Sequence, residues 1–225
     1  MNGKMLDFKG NGMNYEGYVS ASPAGGTGVI VIQEWWGLND HVKDVCDRFA
    51  SERFTALAPD IYQRKIATSP DEAGKLMMAL NIDEAEKIMK GAISSLLAQP
   101  SCTSGTVGVV GFCMGGQLAM YAAATNPEEV SACVNFYGIH PNVKPPYAKM
   151  KAAVLGLFGE NDSSVDAAAV VKLEKEMSAA GKSIESHTYK NAGHAFFNDT
   201  RPVYHEDSAR DAWRRTLKFL RQHVK

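Results

Sequence analysis

The sequence predicts an α/β fold with a mainly parallel central sheet. Short apolar runs of strand length alternate with longer amphipathic segments along the chain. The first strong run, residues 28–32, is followed by a turn and then by a helical pattern over about residues 39–52. This alternation is typical of βα units that feed a parallel sheet. We expect the 225 residues to form one globular domain, residues 1–225, because this length supports one full hydrophobic core.

Local signals mark the elements of the first half. Asn39 or Asp40 can cap the first helix, and the strand predicted over residues 54–58 ends at Pro59. In the run Ser69-Pro-Asp-Glu72, a capping serine precedes a proline at the first helical position, and a glutamate lies three residues after the cap. These residues predict a helix that starts at Ser69.

The second half repeats the pattern around a sharp turn. A helical segment over about residues 83–98 leads to a short apolar strand at 107–110 and then to a glycine-rich turn. The elements predicted after that turn are a helix over 117–124, strands over 132–136, 152–158 and 184–189, and a last helix over about 206–223.

Charge and hydropathy exclude two classes of partner. The formal net charge of -1 provides no basic field for a nucleic-acid backbone or an anionic membrane surface. No apolar stretch approaches the roughly 18 residues that a membrane-spanning helix requires. The first eight residues carry Lys4 and Asp7 without an apolar signal-peptide core. We therefore expect a cytoplasmic protein that binds neither nucleic acid nor membrane.

The four cysteines direct attention to a reactive thiol. They lack a C-x-x-C pair and zinc-site spacing, so no metal is predicted. The even number leaves two disulfides open, but reduced thiols are favoured in a chain of this size without an export signal. The cysteines are Cys46, Cys102, Cys113 and Cys133.

Cys113 lies at the centre of a nucleophile-elbow pattern. Gly111-Phe-Cys-Met-Gly115 has the form G-x-C-x-G between a predicted strand and a predicted helix. Glycines suit this pattern because the abrupt turn leaves no room for side chains. The helix N-terminus favours a negatively charged sulfur, and the Met114 N–H is the natural first oxyanion donor. The alternative is a buried cysteine in a tight packing turn.

A nucleophile of this type needs a base and an acid that orients the base. In chains with a nucleophile elbow, these residues occur along the sequence in the order nucleophile, acid, histidine. Asp162 comes after the strand predicted at 152–158, and His194 comes after the strand at 184–189. Asp162 could instead cap the segment that starts near Val165, and Glu160 or Asp166 could take its place. The other histidines lack the Gly-His context; they are His41, His140, His187, His205 and His223.

Several motifs together resemble the dienelactone hydrolase family. They span nearly the whole chain and are Gln33-Glu-Trp-Trp-Gly37, Ala58-Pro-Asp-Ile-Tyr62, Gly111-Phe-Cys-Met-Gly-Gly116, Gly159-Glu-Asn-Asp162 and Ala192-Gly-His-Ala-Phe-Phe197. The cysteine elbow and the Gln-Glu pair are the specific parts. The resemblance implies a monomeric α/β-hydrolase fold without a large lid, which works without metal or cofactor on a small ester or lactone.

The resemblance also implies a role for Glu34. A glutamate at this position in the family holds the resting cysteine and receives its proton, and Trp35 matches the family's second oxyanion donor. Glu34 could alternatively cap the following helix. Apolar walls for the substrate are expected from Trp36, Tyr137 and Phe196, although each of these aromatic residues could equally be a packing residue.

The chain departs from the family where a substrate carboxylate is bound. Family members that hydrolyse dienelactone use two arginines, one of them four residues after the histidine, and here that position is Asn198. No arginine occurs between Ile66 and Asn81, where the other is expected. Arg64 or Arg201 could substitute from neighbouring positions. The sequence therefore predicts the family's chemistry with an altered substrate preference.

Three other functions stay open at this level. Within the same chemistry, the chain could be a broad carboxylesterase or thioesterase, or could attack an activated phosphoester. A thiol redox or scavenging protein would also use an exposed cysteine, but no resolving cysteine adjoins Cys113. A noncatalytic binding protein would have no use for the combination of Cys113, Asp162 and His194.

Overall fold

In the computed structural model, which describes residues 3–225, a single eight-stranded sheet is flanked by helices on both faces. The strand order is β1-β2-β4-β3-β5-β6-β7-β8. The strands are β1 (Lys4–Gly10), β2 (Met13–Ala21), β3 (Gly26–Ile32), β4 (Phe54–Pro59), β5 (Cys102–Phe112), β6 (Val130–Phe136), β7 (Ala153–Gly159) and β8 (Glu185–Tyr189). The helices are α1 (Asp40–Ser51), α2 (Pro70–Met78), α3 (Ile82–Leu97), α4 (Met114–Thr125), α5 (Ala167–Ala179) and α6 (Glu206–His223), with one 3₁₀ turn at Tyr147–Lys149.

The parallel part of the sheet runs from β4 through β3 to β8, as the alternating sequence pattern predicts. Its strands bury both faces because successive side chains point to opposite sides. On β3, Val29 and Val31 join the core under α1 and α6, whereas Ile30 and Ile32 join the core under α3 and α4. The α/β prediction is confirmed.

The antiparallel hairpin of β1 and β2 was absent from the sequence prediction. β2 pairs antiparallel with β4 and so adds the hairpin to the edge of the parallel sheet. Both strands carry exposed polar residues among their buried ones, which conceals the apolar signal. The turn between them is Asn11-Gly12, with φ of 48° and 82°. Asn-Gly is a strong hairpin signal, so the sequence did contain the information.

The helix boundaries follow the capping residues. Asn39, rather than Asp40, caps α1 by accepting a hydrogen bond from Val42 N at 3.2 Å. Ser69 caps α2 and Pro70 is its first residue, as predicted. No helix in the described part of the chain is long and apolar enough to cross a membrane.

The topology brings four separate loops to one edge of the sheet. Glu34 follows β3, Cys113 follows β5, Asp162 follows β7 and His194 follows β8. Because these strands are parallel, their carboxyl ends meet at the same edge. Side chains that are far apart in the sequence can therefore form one site.

Close backbone packing fixes the turn from β5 into α4. A side-chain carbon at Gly111 would lie 1.9 Å from Gly115 O, and one at Gly115 would lie 2.4 Å from Gln33 O. Neither neighbour is a flexible side chain, so the backbone itself would have to move. A side-chain carbon at Gly116 would lie 2.3 Å from Asn135 Oδ1.

We predict that Gly111→Ala lowers the free energy of unfolding by about 2 kcal/mol or more, because the overlap can be relieved only by a backbone shift. Gly105→Ala is the matched control, since the same strand leaves 3.6 Å to the nearest atom there. Urea denaturation of both variants is the measurement. Equal stability of the two variants would contradict the packing account.

Candidate active site

Cys113 occupies the turn between β5 and α4 in a strained backbone conformation. Its φ of 54° and ψ of -125° lie in a region that L residues rarely adopt. The Cys113 N–H donates to Phe136 O at 3.0 Å, and Cys113 O accepts from Gly116 N at 2.9 Å. These bonds and the adjacent glycines hold the side chain at the edge of the sheet.

The Cys113 side chain faces a small cavity, although only 8% of the residue is exposed. The cavity volume is about 290 Å³. Its walls are largely apolar and come mainly from the loops after β3 and β8. The lining residues are Glu34, Trp35, Trp36, Cys113, His194, Ala195, Arg201, Pro202 and Val203.

His194 lies between Asp162 and Cys113. Its Nδ1 is 2.8 Å from Asp162 Oδ2, and its side chain interacts with that of Cys113 in the same cavity. Only one imidazole nitrogen can face the carboxylate, so Nε2 is the atom available to the sulfur. The imidazole therefore links the carboxylate of Asp162 to the thiol of Cys113.

Asp162 orients the imidazole and organises its own loop at the same time. Its Oδ1 accepts from Ser164 N at 2.7 Å and from Val165 N at 2.9 Å, which leaves Oδ2 for His194. The competing carboxylates are engaged elsewhere. Asp166 caps α5, and Glu160 accepts a hydrogen bond from Asn191 N at 3.0 Å.

The electrostatics favour a protonated imidazole. Burial disfavours the charge on His194, but hydrogen bonds and charge from Asp162 and Cys113 outweigh burial and raise its pKa to about 10. Burial acts against the charge of Asp162 too, yet the His194 partner and two backbone N–H groups hold the Asp162 pKa below its ordinary value. At neutral pH, His194 therefore carries a proton that it can donate.

Glu34 is a buried carboxylate in the same cavity, with 2% exposure. Its Oε2 accepts from Asn198 Nδ2 at 2.7 Å, and its Oε1 accepts from Tyr137 Oη at 3.5 Å. The first of these bonds is short and the second is at the outer limit of hydrogen bonding.

The two expected oxyanion donors are Met114 and Trp35. Met114 is the first residue of α4, and the first N–H groups of a helix have no partner within it. Trp35 follows Glu34 at the carboxyl end of β3 and lines the cavity. Met114 is thus adjacent to Cys113 in the sequence, whereas Trp35 shares the cavity with Cys113 from the loop after β3.

The expected substrate-binding residues divide into two groups. Trp36 lines the cavity, and the Arg201 guanidinium stacks on its ring at 4.0 Å. Tyr137 and Phe196 are fully buried behind the site: the Tyr137 ring centroid lies 5.1 Å from that of His194 and 5.3 Å from that of Phe196. Tyr137 packs against the imidazole and Phe196 packs against Tyr137, and neither residue is among those that line the cavity.

Two residues predicted to contact the substrate are absent from the cavity lining. Asn198 is fully buried and its amide is bonded to Glu34. Arg64 does not line the cavity: its exposed side chain forms a two-point ion pair with Glu16, at 2.7 and 2.8 Å. Of the two arginines considered, it is Arg201 that lines the cavity.

Sequence reasoning missed three features of the loop after β8. Ala195 has a φ of 60°, which shapes the turn directly after His194. Pro202 and Val203 form a wall of the cavity. Thr200 bonds to the Asn198 side chain. Ala195 lies inside the motif around His194, but nothing in that motif indicates its backbone conformation, and no motif marks Thr200, Pro202 or Val203.

The remaining cysteines lie away from this cavity. Cys46 and Cys133 are fully buried, and burial raises the pKa of both thiols well above the ordinary value. Cys102 is partly exposed near Ser104, at the opposite end of β5 from Cys113. All four cysteines are free thiols.

Comparisons with known proteins agree with the geometry. The family model described as "Dienelactone hydrolase family" matches residues 15–224. The chain is 37% identical over 229 residues to "Protein usf" of Aquifex pyrophilus, covering 99% of each chain. It is 33% identical over 230 residues to the "Putative carboxymethylenebutenolidase" of Aquifex aeolicus, covering 99% of this chain and 100% of the relative.

The fold comparison gives the same family name. The crystal structure of "Putative Dienelactone Hydrolase" from Klebsiella pneumoniae subsp. pneumoniae MGH 78578 superposes with a TM-score of 0.85 at 28% identity. The match covers 97% of this chain and 98% of that one.

We predict that brief iodoacetamide treatment at neutral pH alkylates Cys113 much faster than Cys46, Cys102 or Cys133. Alkylation requires a thiolate, and Cys113 alone combines a cavity with a protonated histidine and a helix N-terminus. Peptide mass spectrometry after short exposure measures the four rates. Equal labelling of Cys113 and the partly exposed Cys102 would contradict an activated sulfur.

Proposed function

Since the chain belongs to the dienelactone hydrolase family, whose members hydrolyse ester or lactone bonds, we propose that it cleaves a small neutral ester or lactone through an acyl-enzyme on Cys113. The observation that carries this proposal is the position of His194 between Asp162 Oδ2 and the Cys113 side chain. This is the arrangement of nucleophile, base and orienting acid that acyl transfer requires.

In the first half of the reaction, the Cys113 thiolate attacks the carbonyl carbon and a carbon–sulfur bond forms. The carbonyl oxygen becomes an oxyanion, which the N–H groups of Met114 and Trp35 stabilise. Collapse of this intermediate breaks the bond to the leaving oxygen, which takes a proton from His194. The raised pKa of His194 supports this step, because the imidazole enters the reaction protonated.

In the second half, His194 is neutral and acts as a base towards water. As His194 takes a proton from water, the water oxygen attacks the thioester carbon. The carbon–sulfur bond then breaks, which regenerates the Cys113 thiolate and releases the acid product. Asp162 holds the imidazole in one tautomer throughout, since its Oδ2 accepts from the Nδ1–H.

Glu34 is proposed as the group that takes the proton of the resting Cys113 thiol. The support is its buried carboxylate in the same cavity as the sulfur. With the proton on Glu34, His194 can keep its own proton for the leaving group. Two different groups then handle the two protons of the first half-reaction.

A neutral substrate is proposed from the charges around the cavity. Asn198 stands where a family arginine is expected, and its amide is occupied by Glu34. Arg64 is paired with Glu16 outside the cavity. Arg201 lies at the cavity with its guanidinium against Trp36, while Glu34 adds a negative charge inside. A substrate carboxylate would meet one cation and one buried anion.

We predict that Cys113→Ala abolishes hydrolysis of an activated ester while the chain remains folded. The substitution removes the nucleophile but deletes a single sulfur atom from the edge of a cavity. Cys113→Ser should also be a poor enzyme, because a hydroxyl is far harder to deprotonate than a thiol. Burst kinetics with a p-nitrophenyl ester measure acylation directly. Hydrolysis by Cys113→Ala at the wild-type rate would sink the covalent mechanism.

We predict that a neutral ester is hydrolysed with a higher kcat/KM than its analogue bearing a free carboxylate beside the scissile bond. Each missing charge-assisted hydrogen bond costs about 1.5 to 3 kcal/mol, which is roughly one to two orders of magnitude in discrimination. The substrates are a matched pair, one free acid and one methylated.

Arg201→Gln is the variant that accompanies this comparison. It should leave the preference for the neutral ester in place. A wild-type preference for the carboxylate that disappears in Arg201→Gln would show that Arg201 binds an anion, and the neutral-substrate proposal would then be wrong.

A further inference from the structure

The side-chain amide of Asn198 is held in one orientation by Thr200. Asn198 Oδ1 accepts from Thr200 N at 3.1 Å and from Thr200 Oγ1 at 2.7 Å. The opposite end of the amide, Nδ2, therefore points at Glu34 Oε2, 2.7 Å away. Three hydrogen bonds connect an exposed threonine to a buried carboxylate.

The reversed amide is strongly disfavoured. Its oxygen would face the Glu34 carboxylate, and its NH₂ group would face the Thr200 N–H, which is itself a donor. Since Asn198 is fully buried, water cannot satisfy the groups left without partners. Thr200 thus determines which end of the amide Glu34 meets.

Asn198 is also the principal donor to Glu34. The other donor, Tyr137 Oη, lies 3.5 Å from Oε1, which is too long for a strong bond. The loop that carries Asn198 is closed by backbone bonds, from Asn198 N to Ala195 O at 2.9 Å and from Arg201 N to Asn198 O at 3.1 Å. Asn198, the donor to Glu34, therefore lies on the turn that follows His194.

We propose that Thr200 is a positioning residue, which acts through Asn198 to hold the Glu34 carboxylate in place before any substrate binds. This inference rests on the proposed role of Glu34 as acceptor of the Cys113 proton. The relay is complete in the free protein and consists of neutral groups apart from Glu34 itself. Activation of Cys113 would then need no charged group on the substrate, which agrees with a neutral ester.

The experiment compares Thr200→Val with Thr200→Ser. Valine keeps the shape of threonine but removes the Oγ1 donor, whereas serine keeps the donor. Thr200 is exposed, so neither substitution disturbs the core. The control is Thr125→Val, which removes a hydroxyl bonded to Tyr121 O at 3.0 Å at the far end of α4.

Two rates are measured: alkylation of Cys113 by iodoacetamide without substrate, and kcat and KM with a neutral p-nitrophenyl ester. We expect Thr200→Val to lower the alkylation rate and kcat by about 5-fold each, with KM unchanged. Loss of the bond from Thr200 Oγ1 weakens the buried hydrogen bond between Asn198 and Glu34. Thr200→Ser should restore both rates, and Thr125→Val should match the wild type. Wild-type rates in Thr200→Val would overturn the inference.

A double-mutant cycle with Glu34→Gln identifies the route of the effect. If Thr200 acts through Glu34, Thr200→Val has no further effect in the Glu34→Gln background. The same 5-fold loss in both backgrounds would mean that Thr200 acts by another route, and the inference fails while the proposed function stands.

One further outcome and one separate test distinguish the inference from the proposed function. Wild-type rates in Glu34→Gln would remove the proton-acceptor role of Glu34 and the relay with it. The acyl-enzyme mechanism is tested independently by Cys113→Ala.

Discussion

The site depends on one constraint, the left-handed backbone of Cys113 at the end of β5. A residue with a φ of 54° persists only where its surroundings determine it. Here the surroundings are the backbone bond to Phe136 O and the tight contacts of Gly111 and Gly115. The turn lifts the sulfur out of the sheet and starts α4 directly behind it. The other candidate site residues, Glu34, Asp162 and His194, lie on loops at the same edge.

Charge at this edge is concentrated but paired. Asp162 is matched with His194, and Glu34 with the Asn198 amide. Burying any of these carboxylates alone would be costly, because the protein interior replaces water poorly. In the proposed mechanism this pairing separates two roles, because His194 donates a proton to the leaving group and Glu34 accepts the proton of the thiol. The Tyr137 ring packs against the imidazole from the side away from the cavity lining.

The parallel sheet, its helices and the loops that carry the candidate site could be predicted from the sequence, because those features rest on local patterns. The elbow, the strands and the order of Cys113, Asp162 and His194 are all visible as motifs with flanking apolar runs. The pairing of side chains between loops is not visible in the sequence. Nothing local indicates that Asn198 turns inward to Glu34, or that Arg64 is held by Glu16. The hairpin of β1 and β2 was missed because both strands mix polar and apolar residues and so lack a continuous apolar run.

The cavity walls and the nucleophile belong to different parts of the chain. Trp36 and Val203 come from loops after β3 and β8, whereas the Cys113 turn is packed against glycines within the sheet. Substitutions in the two loops can therefore reshape the cavity without a cost to the strained turn. Under the proposed function, this separation would allow evolution to keep one rigid turn while the loops change the shape of the cavity.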